Sequence, residues 1–283
     1  MMNCKKNLFL FSVDLEDIRL RMSDGVRYSA RVEQLVFEYL AFLNQYGFKA
    51  TFFVVGDIPK VYPNLIYHIQ NEGHEIACHS NLHIPLTKMD KVSFRDDIVA
   101  NVDNLINAGA GPICGFRAPV FSLVKETSWA FEVLSDLGFS YSSSVLPAKN
   151  PLFGWENFGS SPVQFHQNFW EIPMSVRGSK LLNVPFAGGI YFRILPLQII
   201  SNSFKNHFAK NEVVTSYFHP YDIDSEQEFF MHPGINDNRF YNQLMYYNRG
   251  KVFKRLDYII KKFDCEIITY RDYVTLLNTN CDG

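Results

Sequence analysis

The chain has 283 residues, 47% hydrophobic and 20% charged, with a formal net charge of −2. That length suits one large α/β domain or two small ones, and the composition is that of a globular chain rather than a disordered or fibrous one. The charge recommends neither nucleic acid nor an anionic membrane as a partner, and no apolar run approaches the roughly 18 residues of a membrane span. In chain order, residues 8–13 read as a buried strand, because this short apolar run ends in acids and not in the small-residue cleavage site of a secretion signal. Residues 31–46 place Val32, Leu35, Val36, Tyr39, Leu40 and Leu43 at helical spacing and stop at Gly47. A strand is expected over 50–55, then a helix over 58–71 with Pro63 in a first turn and Gly73 as its stop. A strand over 75–78 leads to a helix over 93–108 capped by Ser93. A strand over 113–116, a helix over 125–137 and a short extended piece at 139–141 follow. Residues 142–173, rich in Pro, Gly, Asn and Ser, read as long loops, with 170–174 extended. A helix over 195–210, a strand over 213–218, a loop region over 225–242, a helix over 251–263, a strand over 266–269 and a helix over 270–277 complete the chain.

This repeated strand-then-helix order predicts a parallel sheet with helices outside it. Seven or eight such units suit a closed barrel, so the expected fold is α/β, a distorted (β/α)7-8 barrel. There is no internal repeat, low-complexity segment or linker, and residues 1–283 read as a single domain. Barrels of this kind keep their active sites at the C-terminal ends of the strands. Asp14, Glu16 and Asp17 follow the first strand, His79 and His83 the third, Arg117 the fourth and His219 the penultimate one. Scattered surface residues would not be expected to gather in this way.

His79 and His83 are four apart, a spacing that serves one metal ion if the segment turns like a helix. The plain alternative is two surface histidines on one helical turn. Two histidines and one carboxylate leave open positions, the pattern of a catalytic metal, and a spare acid then serves as general base. Arg117 is either a surface arginine before a turn or the partner that keeps Asp14 ionised. His219 is either a capped core residue or the acid that protonates a leaving amine, with Asp222 orienting it or standing as an exposed loop acid. The aromatic share of 16% is read as bulky core, with stacking platforms for sugar rings as the alternative. Cys4, Cys78, Cys114, Cys265 and Cys281 are odd in number and widely spaced, which points to a reducing compartment and a cytoplasmic protein.

Together these segments resemble the polysaccharide deacetylase family, also described as NodB-homology or carbohydrate esterase family 4. Ser12-Val-Asp-Leu-Glu-Asp17 stands where that family places a base aspartate and a metal aspartate. His79, Ser80 and His83 match its His-Ser/Thr-x-x-His motif, Arg117 and Pro119 its Arg-x-Pro, and Phe218 and His219 its late histidine motif. Ala50-Thr-Phe-Phe-Val, the run 71–76 and the run 138–144 are also family-like, so the resemblance covers roughly residues 8 to 275. Two features depart from the pattern. The acids are spread as Asp-x-Glu-Asp, which resembles the branch holding peptidoglycan deacetylase, allantoinase-like and exosortase-associated members. The family's fourth motif has no clean match, and Trp170-Glu171 is the stand-in.

The resemblance implies a metal-dependent amide hydrolase that removes the acetyl group of an N-acetylated sugar. Zinc is the implied metal, with cobalt, iron and nickel as alternatives. Asp14 takes the base role and His79 and His83 ligate. The third ligand is Asp17 or Glu16, with the shorter Asp17 preferred in a tight turn. A backbone N–H near Val120 faces the oxyanion, and His219 is the acid. Residues 185–193 resemble the exosortase-associated branch. There the glycines permit close backbone approach and Arg193 reaches an anionic substrate group, unless the segment is simply a glycine turn before a helix. The missing secretion signal suggests a nucleotide- or lipid-linked sugar, or an oligosaccharide, destined for a surface polysaccharide. The alternatives are an allantoinase-like hydrolase of a non-sugar C–N bond and a non-catalytic carbohydrate-binding barrel.

Overall fold

The opening strand is broken at Phe11 into β1 (Asn7–Leu10) and β2 (Ser12–Leu15), and the two pieces serve different sheets. The computed structural model describes residues 6–150, 152–166, 168–178 and 183–281, without the side chains of 280 and 281. β1 lies in parallel between β10 (Cys265–Ile268) and β9 (Val214–Thr215). β2 pairs in parallel with β3 (Thr51–Val54). On its other flank the chain beyond β9 continues alongside, with Asp14 N–H donating to Phe218 O at 2.6 Å and Phe218 N–H to Ser12 O at 3.0 Å. From β3 the sheet runs through β4 (Glu75–Cys78), β5 (Gly115–Phe116), β6 (Tyr141–Ser142) and β8 (Phe169–Glu171), all parallel. An antiparallel strand, β7 (Val163–His166), closes its edge.

Among the described residues the expected barrel is not closed by a continuous ladder. Between the chain after β8 and β9, side chains carry the seam. Ser175 N–H donates to Thr215 Oγ1 at 2.7 Å, and Thr215 N–H donates to Ser175 Oγ at 2.9 Å. The fold is therefore an α/β barrel distorted along this line.

Strand alternation sorts the side chains. Phe9, Phe11, Val13 and Leu15 point outward and share a buried cluster with Val32, Leu35, Val36, Tyr39 and Leu43 of the helix Val32–Asn44. The inward set is partly polar and layered. At the N-terminal end, Glu75 accepts from Thr51 Oγ1 (2.6 Å), Tyr141 OH (2.9 Å) and the Arg271 amide (3.0 Å). Arg117 forms the next layer. A Cβ on Gly115 would lie 2.0 Å from Tyr141 Cζ, so only glycine lets that ring cross the interior.

Several elements differ from expectation for local reasons. The helix expected over 58–71 is two helices, Ile58–Val61 and Pro63–Asn71, broken at Tyr62 because a residue before proline avoids the helical region. The helix Lys91–Asn107 starts before Ser93: Asp90 is its cap, and Ser93 is the reciprocal third residue of a capping box. The helix expected over 125–137 is a 3-10 turn, Lys125–Thr127, followed by Ala130–Asp136. The region read as loops over 142–173 contains β7, the piece expected to be extended over 170–174 is met by β8, and helices Gly189–Ile194 and Arg239–Tyr246 were not expected. Among the described residues no helix is long and apolar enough to cross a membrane. Cys78, Cys114 and Cys265 are free thiols, while Cys4 and the Cys281 side chain lie outside the described residues.

Candidate active site

Asp14 is the last inward residue of β2, and Arg117 follows β5, so both stand at strand C-termini inside the barrel. Arg117 is fully buried, and its Nη1 donates to Asp14 Oδ1 at 2.6 Å and to Ser12 Oγ at 2.8 Å. Its other donors reach Ser143 O (3.0 Å) and Tyr270 OH (2.9 Å), and its guanidinium lies 4.0 Å from the Phe53 ring centroid. One oxygen of Asp14 is thus fixed by a short hydrogen bond to a guanidinium in a dry setting.

The histidine segment does not turn like a helix. Ser80 and His83 have φ of 68° and 55°, so the chain folds as a tight turn in which left-handed residues bring the two rings together. Asp97 holds that turn from the helix Lys91–Asn107, accepting from Ser80 Oγ (2.7 Å), Asn81 N (2.8 Å) and Leu82 N (2.9 Å). Sequence reading missed Asp97; an acid beside Phe94 and Ile98 in a helix that packs on the sheet was the available signal. The rings of His79 and His83 have centroids 5.1 Å apart. His79 Nδ1 lies 2.8 Å from Arg117 O and so carries the proton, leaving Nε2 as the free lone pair. Burial, reinforced by its neighbour His83, holds His79 well below the usual imidazole range, and burial likewise lowers His83. Both are neutral near pH 7, as ligands must be.

The carboxylate facing these rings is Glu16 and not Asp17. Glu16 lies 3.5 Å from His83 Nε2 and 3.7 Å from His219 Nε2. Asp17, the expected ligand, caps the turn Ile18–Arg21 instead, with its oxygens taken by Arg19 (2.6 Å) and Tyr62 OH (2.9 Å). The reason is alternation: at the end of β2 successive residues leave on opposite faces, and Glu16, two beyond Asp14, shares its side. Among the described residues no three His, Cys, Asp or Glu side chains are already drawn together as a cage. Two neutral imidazoles with a carboxylate beside them nevertheless form a donor set that suits a divalent zinc-like ion.

His219 is held by Asp222, whose Oδ2 lies 3.0 Å from Nδ1 and accepts the His219 backbone N–H at 2.8 Å. Nε2 is left facing Glu16. Burial works against the charged imidazole, but the hydrogen bond and charge of Asp222, with Glu16 beyond, raise its pKa. Burial would likewise raise Asp222, yet Arg193 and His219 hold it at about 2. Arg193, expected to reach an anionic substrate group, is fully buried. Its Nε lies 2.9 Å from Asp222 Oδ1, poorly aligned for a hydrogen bond, while Nη1 donates to Met245 O at 2.6 Å. Asp222 is also fully buried, and it is engaged by Arg193 and His219. The glycines of 185–193 do allow close approach, but to the chain's own backbone. A Cβ on Gly188 would lie 1.9 Å from Tyr217 O, and Gly189 N–H donates to that oxygen at 2.7 Å.

Asp14, Glu16, His79, His83 and His219 line one cleft of about 450 Å³. Val120 stands on its wall with φ 49° and Phe121 with φ 55°, a costly conformation for a β-branched residue. The hydrogen bonds of that turn run from Phe121 and Ser122, not from the Val120 amide. Trp170 and Glu171 do not join the cleft: Trp170 donates to Asn278 at 2.8 Å, and Glu171 accepts the amides of Ser144 and Val145 at 2.8 Å each.

Residues 22–142 match the family model for polysaccharide deacetylase, and residues 143–271 match a domain of unknown function, DUF3473. Residues 22–142 thus carry a polysaccharide deacetylase domain. A peptidoglycan-N-acetylglucosamine deacetylase of Bacillus cereus is 34% identical over 92 residues, 32% of this chain and 33% of that protein. The chain thus spans about a third of the length of the curated relative it matches. A protein from Mycobacterium smegmatis assigned as a polysaccharide deacetylase superposes with a TM-score of 0.62 at 16% identity, covering 99% of this chain and 93% of that one. A peptidoglycan N-acetylglucosamine deacetylase bound to a benzamide gives 0.52 at 15% identity over 94% and 87%. A carbohydrate esterase family 4 pseudoenzyme from Bacillus anthracis gives 0.54 at 12% identity over 95% and 66%. At these identities the likeness is one of fold, the NodB-homology deacetylase fold.

Proposed function

We propose that this chain is a metal-dependent N-deacetylase that hydrolyses the acetamide of an N-acetylated sugar. The observation that carries the reading is one cleft that holds a locked carboxylate, an oriented imidazole and a histidine pair. Asp14, with Arg117 fixing one oxygen, has the other free to take a proton from water. As the imidazolium, His219 keeps one proton on Nδ1 toward Asp222 and delivers the other from Nε2 to the departing amine. The strained turn at Val120 offers its amide to the developing oxyanion. His79, His83 and Glu16 would hold zinc, which when bound lowers the pKa of water and polarises the acyl oxygen.

Residues 1–283 act as one domain in this reading, because Arg117 draws on Ser143, Ser216 and Tyr270 from the second half. The three described free thiols suit a reducing compartment. A nucleotide- or lipid-linked sugar on the way to a surface polysaccharide is the substrate that fits such a compartment. The test is acetate release from N-acetylglucosamine oligosaccharides and UDP-N-acetylhexosamines by the zinc-loaded protein. Asp14→Asn should abolish release while zinc still binds. Release by neither substrate class sinks the sugar deacetylase reading, and loss of zinc by a folded Asp14→Asn protein moves Asp14 from base to ligand.

A further inference from the structure

Beyond His219, the cleft wall carries one more buried histidine besides His79. His232 is 1% exposed, and it lines the cleft together with Pro233 and Gly234. Its ring stands edge-on to Tyr221 with centroids 5.5 Å apart, and Tyr221 in turn stacks on His219 at 4.6 Å. His232 is therefore one aromatic ring away from the reactive imidazole. Its backbone is pinned by Asn242, which accepts the His232 N–H at 3.0 Å and donates to Phe230 O at 2.9 Å.

The tautomer of His232 is dictated by its neighbours. Arg249 Nη2 approaches Nε2 at 3.1 Å, and Gln227 Nε2 approaches it at 3.4 Å. The Gln227 amide is itself oriented, because its Oε1 accepts from Arg249 Nη1 at 2.7 Å. A guanidinium only donates, so Nε2 must carry the lone pair and Nδ1 the proton. Burial and the Arg249 charge push His232 down to about 3, so the ring is neutral. Nδ1 has no acceptor among the described residues. A buried N–H left in that state is costly, and native structures supply partners for nearly all of them.

The charge behind this N–H is also unbalanced. Arg249 is 2% exposed, and among the described residues no carboxylate pairs with it. Its neutral acceptors include Met245 O at 2.7 Å, and its guanidinium lies 4.4 Å from the Tyr246 ring centroid. Burial and the neighbouring Arg193 lower Arg249 to about 10, which leaves it charged at neutral pH. The Asp222 carboxylate serves Arg193. A buried cation therefore polarises an imidazole that lines the cleft and whose Nδ1 finds no acceptor among the described residues.

We propose that His232, backed by Arg249, is a specificity-determining residue that receives an anionic oxygen of the substrate, a phosphate or carboxylate attached to the N-acylated sugar. This rests on the sugar-deacetylase reading of the cleft and names the charge of its substrate. Long-range ¹H–¹⁵N NMR of the wild-type protein should show His232 as a neutral Nδ1–H imidazole. UDP-N-acetylglucosamine or an N-acetylated uronic acid should shift that proton, and should bind about ten- to a hundred-fold more tightly than neutral N-acetylglucosamine, the range of a hydrogen bond to a charged group. The first ligand responding alone assigns phosphate, the second alone carboxylate. His232→Leu should erase the preference, and His232→Asn, which sets an amide N–H near the Nδ1 position, should keep part of it. An Nε2–H tautomer, or equal affinity for charged and neutral sugars in the wild type, overturns the proposal. Because the readouts are spectra and binding, they stand apart from acetate release: a protein that binds the anionic sugars in this way but hydrolyses nothing would fail the function and keep the site.

Discussion

Arg117 has no water to turn to and Asp14 very little, so each relies on the other. Arg117→Ala should leave a buried carboxylate without its counter-charge and destabilise the fold by about 3–5 kcal/mol in chemical denaturation. A change within ±0.5 kcal/mol would mean that water reaches Asp14 freely. The two acids that follow can be told apart by metal affinity. An outer partner of a metal ligand is typically worth roughly 10–100-fold, so losing a ligand should exceed that range. Glu16→Gln should therefore weaken zinc binding, measured by competition with a chelator, by more than about 100-fold. Asp17→Asn should leave zinc affinity nearly unchanged while loosening Arg19 and Tyr62. The reverse pattern would return Asp17 to the metal. Sequence placed the acids, histidines, Arg117 and His219 at strand ends, which is a matter of counting residues after apolar runs. It did not separate Glu16 from Asp17, because side-chain length argues for one and the alternation of the strand for the other.

Elements carry these residues into position through two devices. The left-handed turn after β4 is tied to Asp97, and the helix Gly189–Ile194 sits against β9 through Gly188 and Gly189. Gly188→Ala would drive a methyl into Tyr217 O and push the helix that carries Arg193 away from Asp222. A loss of about 1–3 kcal/mol is expected from overpacking, with turnover lost in the folded fraction. Unchanged melting and activity would show that the segment yields freely. Long amphipathic helices such as Val32–Asn44 and Val252–Phe263 were legible from apolar spacing alone. The six-residue helix at 189–194 and the β7 edge strand were not. The first is too short to show a period and begins with glycine. The second is largely exposed, so nothing in its sequence had to alternate.

Across the molecule, burial holds His74, His79, His83, His207 and His232 below their usual range, while His219 is raised. The first five bind protons more readily unfolded than folded, so below about pH 6.5 each one draws stability away as pH falls. His219 has the opposite sign: its contribution is present below about pH 6.5 and is lost as pH rises through its folded value. Raised Glu75, Glu171 and Asp57 also favour the folded state on acidification, which makes the total a sum of opposed terms. A single group gives a cleaner measure. His74, at about 4, accepts the Ala50 amide at 3.1 Å, a bond that His74→Asn can keep. Between about pH 6.5 and pH 4, the stability of the wild type relative to this variant should fall by about 1.4 kcal/mol per pH unit. Parallel urea curves at pH 7 and pH 5 would show that His74 ionises as freely folded as unfolded.

The two matched families meet between Ser142, the last residue of β6, and Ser143. Asp14, the histidine pair and Arg117 lie before that join, and His219 with its supports lies after it. Chimeras between relatives that cross over here would exchange His219 and the His232 wall as one inheritance while keeping Asp14 and the histidine pair of the other parent. Such a hybrid must also inherit the sockets that Ser143, Ser216 and Tyr270 provide for the Arg117 side chain. Compatibility between lineages then depends on contacts inside the barrel that reach across the join to one arginine.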